Sequence, residues 1–227
     1  MSLIVTTEYE FQRVEPPALP LATEQYNKAY QDQLNNVLRL YFNRFNNILS
    51  QMNTGSGSID GSGLRVPYGA FSSDQDQTTT ANTATLMTLN TTDFANDVSI
   101  SSSKIRVTTP GIYNLQFSTQ FQNTDNQLHD ISIWLRQGND GGSSADIAGS
   151  TGFVSIPARK SASPGEEAHE IIGWNYYLSM AVDDYVQIYW STTSALVTIQ
   201  AYAASTSPTR PSTQSVVATL SFVSALP

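Results

Sequence analysis

The sequence predicts a mainly β protein: an antiparallel sandwich of about ten strands, preceded by an extended arm and one long α-helix. Three observations lead there. From Leu64 onward, short segments alternate apolar and polar residues and are separated by turn residues. Ahead of them, residues 23–52 repeat apolar side chains every three or four positions, which is a helical period. Between the two lies a run of glycine and serine with no packing side chain to offer. Composition agrees. Hydrophobic residues make up 40% and charged residues only 13%, so Ser, Thr, Asn and Gln carry the polarity, as they do on turn-rich β surfaces.

Charge and cysteine usage narrow the function. The formal net charge is −8, which repels a phosphate backbone, so no nucleic-acid partner is expected. There is no cysteine, which removes disulfides and thiolate metal sites. No segment reaches the length of a membrane span, and no membrane insertion is expected. Met1–Val14 lacks the basic start and apolar core of a signal peptide. Release inside an assembled particle is therefore the expected route out of a cell.

Residues 1–22 read as the arm. Leu3-Ile4-Val5 and Tyr9-Glu10-Phe11 are extended in character, and Glu15-Pro16-Pro17-Ala18-Leu19-Pro20 forbids a helix. Such a segment has no core of its own. Its apolar residues Leu3, Val5, Phe11 and Leu19 are expected to dock on a partner.

Residues 23–52 read as the helix, with Thr23 as N-cap. Tyr26, Tyr30, Leu34, Val37, Tyr41, Phe45, Ile48 and Met52 form a stripe with steps of 4, 4, 3, 4, 4, 3 and 4. Leu38, Phe42 and Leu49 widen it. The mean step lies nearer an 11-residue repeat than a heptad, so a bundle of these helices is nearly straight or slightly right-handed. A lone helix must bury such a stripe on its own copies, on the head or on another protein. Self-association is the favoured expectation, over packing against the head or another protein. Residues 53–63 then read as a flexible linker, and residues 64–227 as the head.

Within the head, Ile112–Phe121 alternates cleanly: Tyr113, Leu115, Phe117, Thr119 and Phe121 share one face, opposite Asn114, Gln116, Ser118 and Gln120. The same scheme returns at Ile131, Ile133 and Leu135, at Trp174 to Met180, at Val186, Ile188 and Trp190, and at Val197 to Ala203. Val66–Ser72, Thr85–Leu89, Val98–Ser101, Lys104–Thr108, Phe153–Ile156 and Val216–Val223 complete the set. Pro67 points to an edge or a bulge in the first strand. Many strands, frequent turns and no helical period indicate an antiparallel sandwich or jelly roll.

Several stretches, in order, resemble the jelly-roll superfamily of tumour necrosis factor and the complement C-one-q head. Tyr68-Gly69-Ala70-Phe71-Ser72 resembles its opening strand. Ile105–Ser118, with Thr109-Pro110-Gly111-Ile112-Tyr113, resembles its "V-P-G-x-Y-x-F" strand pair. Ile131–Gly138 resembles "V-x-L-x-K-N-G", Leu178–Val186 resembles "L-x-L-x-x-G-D-x-V", and Ser215–Val223 resembles the closing strand. Asp183 stands where the family has Gly, and Ser221-Phe222 where it has Gly-Phe. The leader, Pro16–Leu21 followed by Tyr26–Phe42, resembles that of structural proteins of tailed phages, cyanophages in particular. The superfamily resemblance implies a homotrimer around an apolar three-fold axis. A head trimer interface is then expected at Tyr113, Phe117, Trp190 and Tyr202. Trp134, on the polar face of its strand, is expected to mark an interface or receptor patch.

No catalytic constellation emerges. His129 and His169 have no partner at ligand spacing. Glu166, Glu167, His169 and Glu170 read as a solvated acidic loop rather than a metal site. Asp140, Asp146, Asp183 and Asp184 read as turn formers rather than calcium ligands. Gly55–Gly63 lacks a P-loop lysine, and no Gly-x-Ser-x-Gly occurs. The expectation is a non-enzymatic, cofactor-free homotrimer located on a virion. Its arm and helix attach to capsid or tail proteins, and its head serves as capsid decoration or a short fibre. A receptor-binding tail-fibre knob meeting a host surface receptor, or a secreted glycan or protein recognition module, is the alternative.

Overall fold

The structure, a computed structural model, describes residues 17–21, 25–53, 66–163 and 165–226, the side chains of 48–53 excepted. The chain divides into two compact units, Met1–Arg65 and Val66–Pro227.

In the first unit, α1 spans Lys28–Asn53. It starts five residues later than the sequence predicts. The expected cap Thr23 lies outside the described residues, and Asn27 does the capping. Asn27 Oδ1 accepts hydrogen bonds from the N–H groups of Ala29 and Tyr30 at 2.9 and 3.3 Å. These are the second and third helical positions, whose donors otherwise lack partners. The far end runs one residue into the expected linker; the remaining linker positions, 54–63, lie outside the described residues, as do Leu3, Val5 and Phe11 of the arm. The helix keeps much of its apolar surface in solvent: Leu40, Phe42 and Phe45 are exposed, as are Tyr26 and the arm residue Leu19. Tyr41 and Phe45, one turn apart, stack with ring centroids at 6.5 Å. Tyr30, Leu34 and Val37 are half-buried, and the side chains of Ile48 and Met52 lie outside the described set.

The second unit is mainly β. Its early strands are β1 (Tyr68–Ser73), β2 (Thr85–Leu86), β3 (Thr91–Asn96), β4 (Val98–Ser101) and β5 (Lys104–Val107). The long central ones are β6 (Gly111–Asn123), β7 (His129–Asn139), β10 (Ala168–Met180) and β11 (Asp184–Thr192), with β8 (Ser144–Asp146) and β9 (Gly152–Ile156) between. β12 (Val197–Ile199), β13 (Ser205–Thr206), β14 (Thr209–Arg210) and β15 (Val216–Ser224) close the chain. Among the described residues, fifteen segments thus stand where about ten are expected. The excess is short pieces such as β13 and β14, a two-residue ladder inside the proline-bearing loop. β3 is also new to the structure: its residues are almost all exposed, so it carries no alternation to read.

One sheet runs β10-β6-β15-β1-β3, with β12 also on β6. The other runs β4-β5-β11-β7-β8, with β2 on β11 and β9 on β7. Every strand pairing is antiparallel. The chain changes sheet at β1–β2, β2–β3, β3–β4, β5–β6, β6–β7, β9–β10, β10–β11 and β11–β12. Consecutive strands therefore face each other across the core, the connectivity of a jelly-roll sandwich. Pro67 sits just before β1, where its carbonyl accepts from the Phe222 N–H at 2.9 Å, and the bulge lies between Ala70 and Phe71.

The core explains the alternation. Tyr113, Leu115, Phe117 and Phe121 of β6 meet Ile131, Ile133 and Leu135 of β7 and Val186, Ile188 and Trp190 of β11. Phe121 and Trp190 contact edge to face at 5.5 Å, and Phe117 and Trp174 at 5.0 Å. The Tyr113 hydroxyl donates to the Thr109 carbonyl at 2.7 Å; burial, with the Asp97 charge behind it, pushes its pKa up to about 12. Asp183 and Phe222 are accommodated locally. Asp183 takes φ 64°, the left-handed conformation a glycine adopts freely. Phe222 packs on Tyr113 at 5.5 Å, and a Cβ at Gly111 would meet its ring at 2.3 Å.

Candidate interaction faces

The pleat decides which side chains of the first sheet look outward. On β6 these are Asn114, Gln116, Ser118, Gln120 and Gln122, the partners of the core set. On β10 they are His169, Ile171, Gly173, Asn175, Tyr177 and Ser179. On β15 they are Val217, Thr219, Ser221 and Val223. Register joins them into one surface: Ile171 lies opposite Gln120, Tyr177 opposite Asn114, and Ser118 between Gly173 and Val217. None of these residues is Asp, Glu, Lys or Arg. Ile171 and Tyr177 are 69% and 61% exposed, so two large apolar side chains stand in solvent on this uncharged patch of three strands. Depletion of charge with exposed aromatic and aliphatic groups is the composition of an interface centre.

At one end of this face, His169 Nδ1 and the Tyr202 hydroxyl are 2.9 Å apart. Tyr202 is half-buried; burial raises its pKa, with Asp76 and Glu167 adding to the effect.

The second sheet looks outward differently. Lys104 and Arg106 of β5 both pair with Asp140. Lys104 lies over the Tyr185 ring, 4.2 Å from its centroid. Arg136 Nε donates to Asp146 at 2.7 Å, and its guanidinium lies 4.2 Å over Tyr189. Tyr189 stacks on Trp134, centroids 5.9 Å apart at 25°. The Asp146 carboxyl is held below the ordinary range chiefly by its hydrogen bond from Arg136.

Three residues expected at a head interface are therefore reassigned. Tyr113, Phe117 and Trp190 are buried between the sheets, where they fill the sandwich. The apolar side of each strand faces inward because that is where it leaves water. Trp134 and Tyr202 do reach the surface, though on different regions: Trp134 on the second sheet, Tyr202 beside His169 of the first.

The sequence-flagged ionisable residues are engaged elsewhere. Asp184 accepts from the Ala181 N–H at 2.8 Å and from Asn139 and Gln137, which locks the β10–β11 turn. His129 Nε2 meets Asp125 Oδ2 at 2.7 Å, and its Nδ1 meets Thr193 Oγ1 at 3.3 Å. That Asp–His–Thr line joins the β6–β7 loop to the end of β11. Spacing along the chain hides its Thr193 end, 64 residues from His129. Among the described residues no group of three or more His, Cys, Asp or Glu converges as a metal site.

No family model matches this chain, and no curated protein does. Among solved structures it is similar to the globular domain of zebrafish complement 1qA protein. The identity is 12%, the alignment covers 70% of this chain and 99% of that one, and the TM-score is 0.41.

Proposed function

We propose that the protein is a homotrimeric structural component of a tailed-phage particle, non-enzymatic, attached through its arm and helix and displaying the β head as capsid decoration or a short fibre. The observation that carries self-association is the uncharged outer face of β10, β6 and β15 with Ile171 and Tyr177 exposed upon it. A monomer gains nothing from leaving those side chains in water, whereas copies packed on that face remove them from it. The number three comes from the resemblance to the tumour necrosis factor superfamily, and the particle from the leader's resemblance to phage structural proteins. The exposed Leu40, Phe42 and Phe45 of α1 support a helix that buries its stripe on copies or on a virion protein.

Light scattering of the purified chain tests the assembly: a mass near three chains is expected, and a stable monomer refutes it. Deleting residues 1–52 should abolish incorporation into particles and leave the head folded; continued decoration by the truncated head overturns the anchor role. Loss of particle stability without the protein assigns decoration. Loss of adsorption by intact particles assigns a receptor-binding fibre.

A further inference from the structure

We propose that the outer face of the second sheet carries a carbohydrate site, built on Trp134, Phe153 and the Arg136–Asp146 pair, that takes a neutral hexose oligosaccharide. The inference does not depend on the assembly proposed above, because it uses the opposite sheet.

Trp134 lies on the solvent side of β7, between the core residues Ile133 and Leu135. Its ring is fixed. One face stacks on Tyr189, and Arg136, itself held by Asp146, lies over that same Tyr189 ring. These contacts set the ring's orientation before anything binds, so binding loses little side-chain freedom. One strand away, Phe153 is 76% exposed. The β7–β9 register sets Phe153 opposite Ser132, two residues from Trp134 on the same face. Diagonal neighbours on a sheet lie about 7–8 Å apart, within reach of aromatic side chains. Two aromatic rings thus flank a floor as small as Ser132.

The chemistry matches a pyranose. Its apolar C–H face covers an aromatic ring, and its hydroxyl rim needs both an acceptor and a donor. Asp146 supplies the first and the remaining Arg136 N–H groups the second. The charge state selects among sugars. Arg136, the cation of the site itself, is already paired one to one with Asp146, Lys104 and Arg106 of β5 share Asp140, and the whole chain carries −8. With its own cation paired and the chain acidic, the site fits a neutral saccharide and disfavours a polyanionic one.

The chain has three tryptophans. Trp190 is fully buried and Trp174 packs against the core, so surface binding is reported by Trp134. Intrinsic fluorescence of the full chain is titrated with maltohexaose, laminarihexaose and cellohexaose, with an oligoalginate as the acidic contrast. A saturable change with at least one neutral sugar and none with the alginate is expected. Phe153→Ala keeps the reporter and removes only an exposed ring; affinity should fall about tenfold while the scattering mass stays that of the parent. Trp134→Ala, followed by calorimetry, should lose binding. The proposal is overturned if no neutral sugar gives saturation up to about 10 mM. It is equally overturned if the alginate binds as well as they do, or if Phe153→Ala binds like the parent.

Discussion

Ser118→Glu puts one charge at the centre of the uncharged face. Ser118 is exposed on the central strand β6, between Gly173 and Val217, so the longer side chain has room beside a residue with no side chain. In an isolated head the substitution should cost no more than about 0.5 kcal/mol, the usual range for an exposed site. In an assembly closed on this face, each copy buries an unpaired carboxylate at about 3 kcal/mol or more. With one such residue in every copy, a trimer loses on the order of 9 kcal/mol, and each contact weakens by about two orders of magnitude. The two costs differ enough for one pair of measurements to separate them. Thermal melting of the diluted head reads the first, and light scattering across a concentration series reads the second. Ser144→Glu, exposed on β8 of the other sheet, serves as the control. The reasoning fails if Ser118→Glu keeps the parent's mass at micromolar concentration, or if Ser144→Glu dissociates the assembly equally.

Other perturbations test the fold and its ionisable groups. Trp190→Phe should destabilise the head by about 1–3 kcal/mol in urea titration without altering its scattering mass, since the ring is interior and its indole N–H has no partner among the described residues. Gly111→Ala should cost about 1–3 kcal/mol by overpacking, and less in a Phe222→Leu background, because the added methyl meets the Phe222 ring; strict additivity in the double-mutant cycle contradicts that cause. Asp146 has a lowered pKa in the folded state, so its stabilising contribution is present above the ordinary carboxylate range and is lost as pH falls through the lowered value. Asp146→Asn should therefore melt slightly below the parent at pH 7, by less than about 1 kcal/mol for so exposed a pair, and the two curves should converge in strong acid.

Much of the sandwich was legible because one-sided burial writes a period of two into the chain. β6, β7 and β11 announce themselves through Tyr113 to Phe121, Ile131 to Leu135 and Val186 to Trp190. β3 was not legible: with both faces of Thr91–Asn96 largely in solvent, nothing forces alternation. The helix start was misplaced because Thr23 and Asn27 are both good caps, and local chemistry alone does not rank them. The burial of Tyr113, Phe117 and Trp190 was missed for a different reason. Large aromatics drew attention to the face that fills the core, while the outward face carries the modest residues opposite: Asn114, Gln116, Ser118 and Gln120. Alternation groups those four on one strand. Only register shows that Asn175 and Ile171 on one side and Val217 and Thr219 on the other extend the same uncharged surface.

The unequal dress of the two sheets has a consequence for how the molecule meets its surroundings. A face without formal charge gives copies that would join through it no local steering, and the −8 on each copy opposes their approach until dissolved ions screen it. The other face holds its ions in local pairs, and those are what ionic strength and acidity act upon. Were copies to pack on the first sheet as proposed, the second would remain free to exchange one charge or ring for another without disturbing the contacts between them.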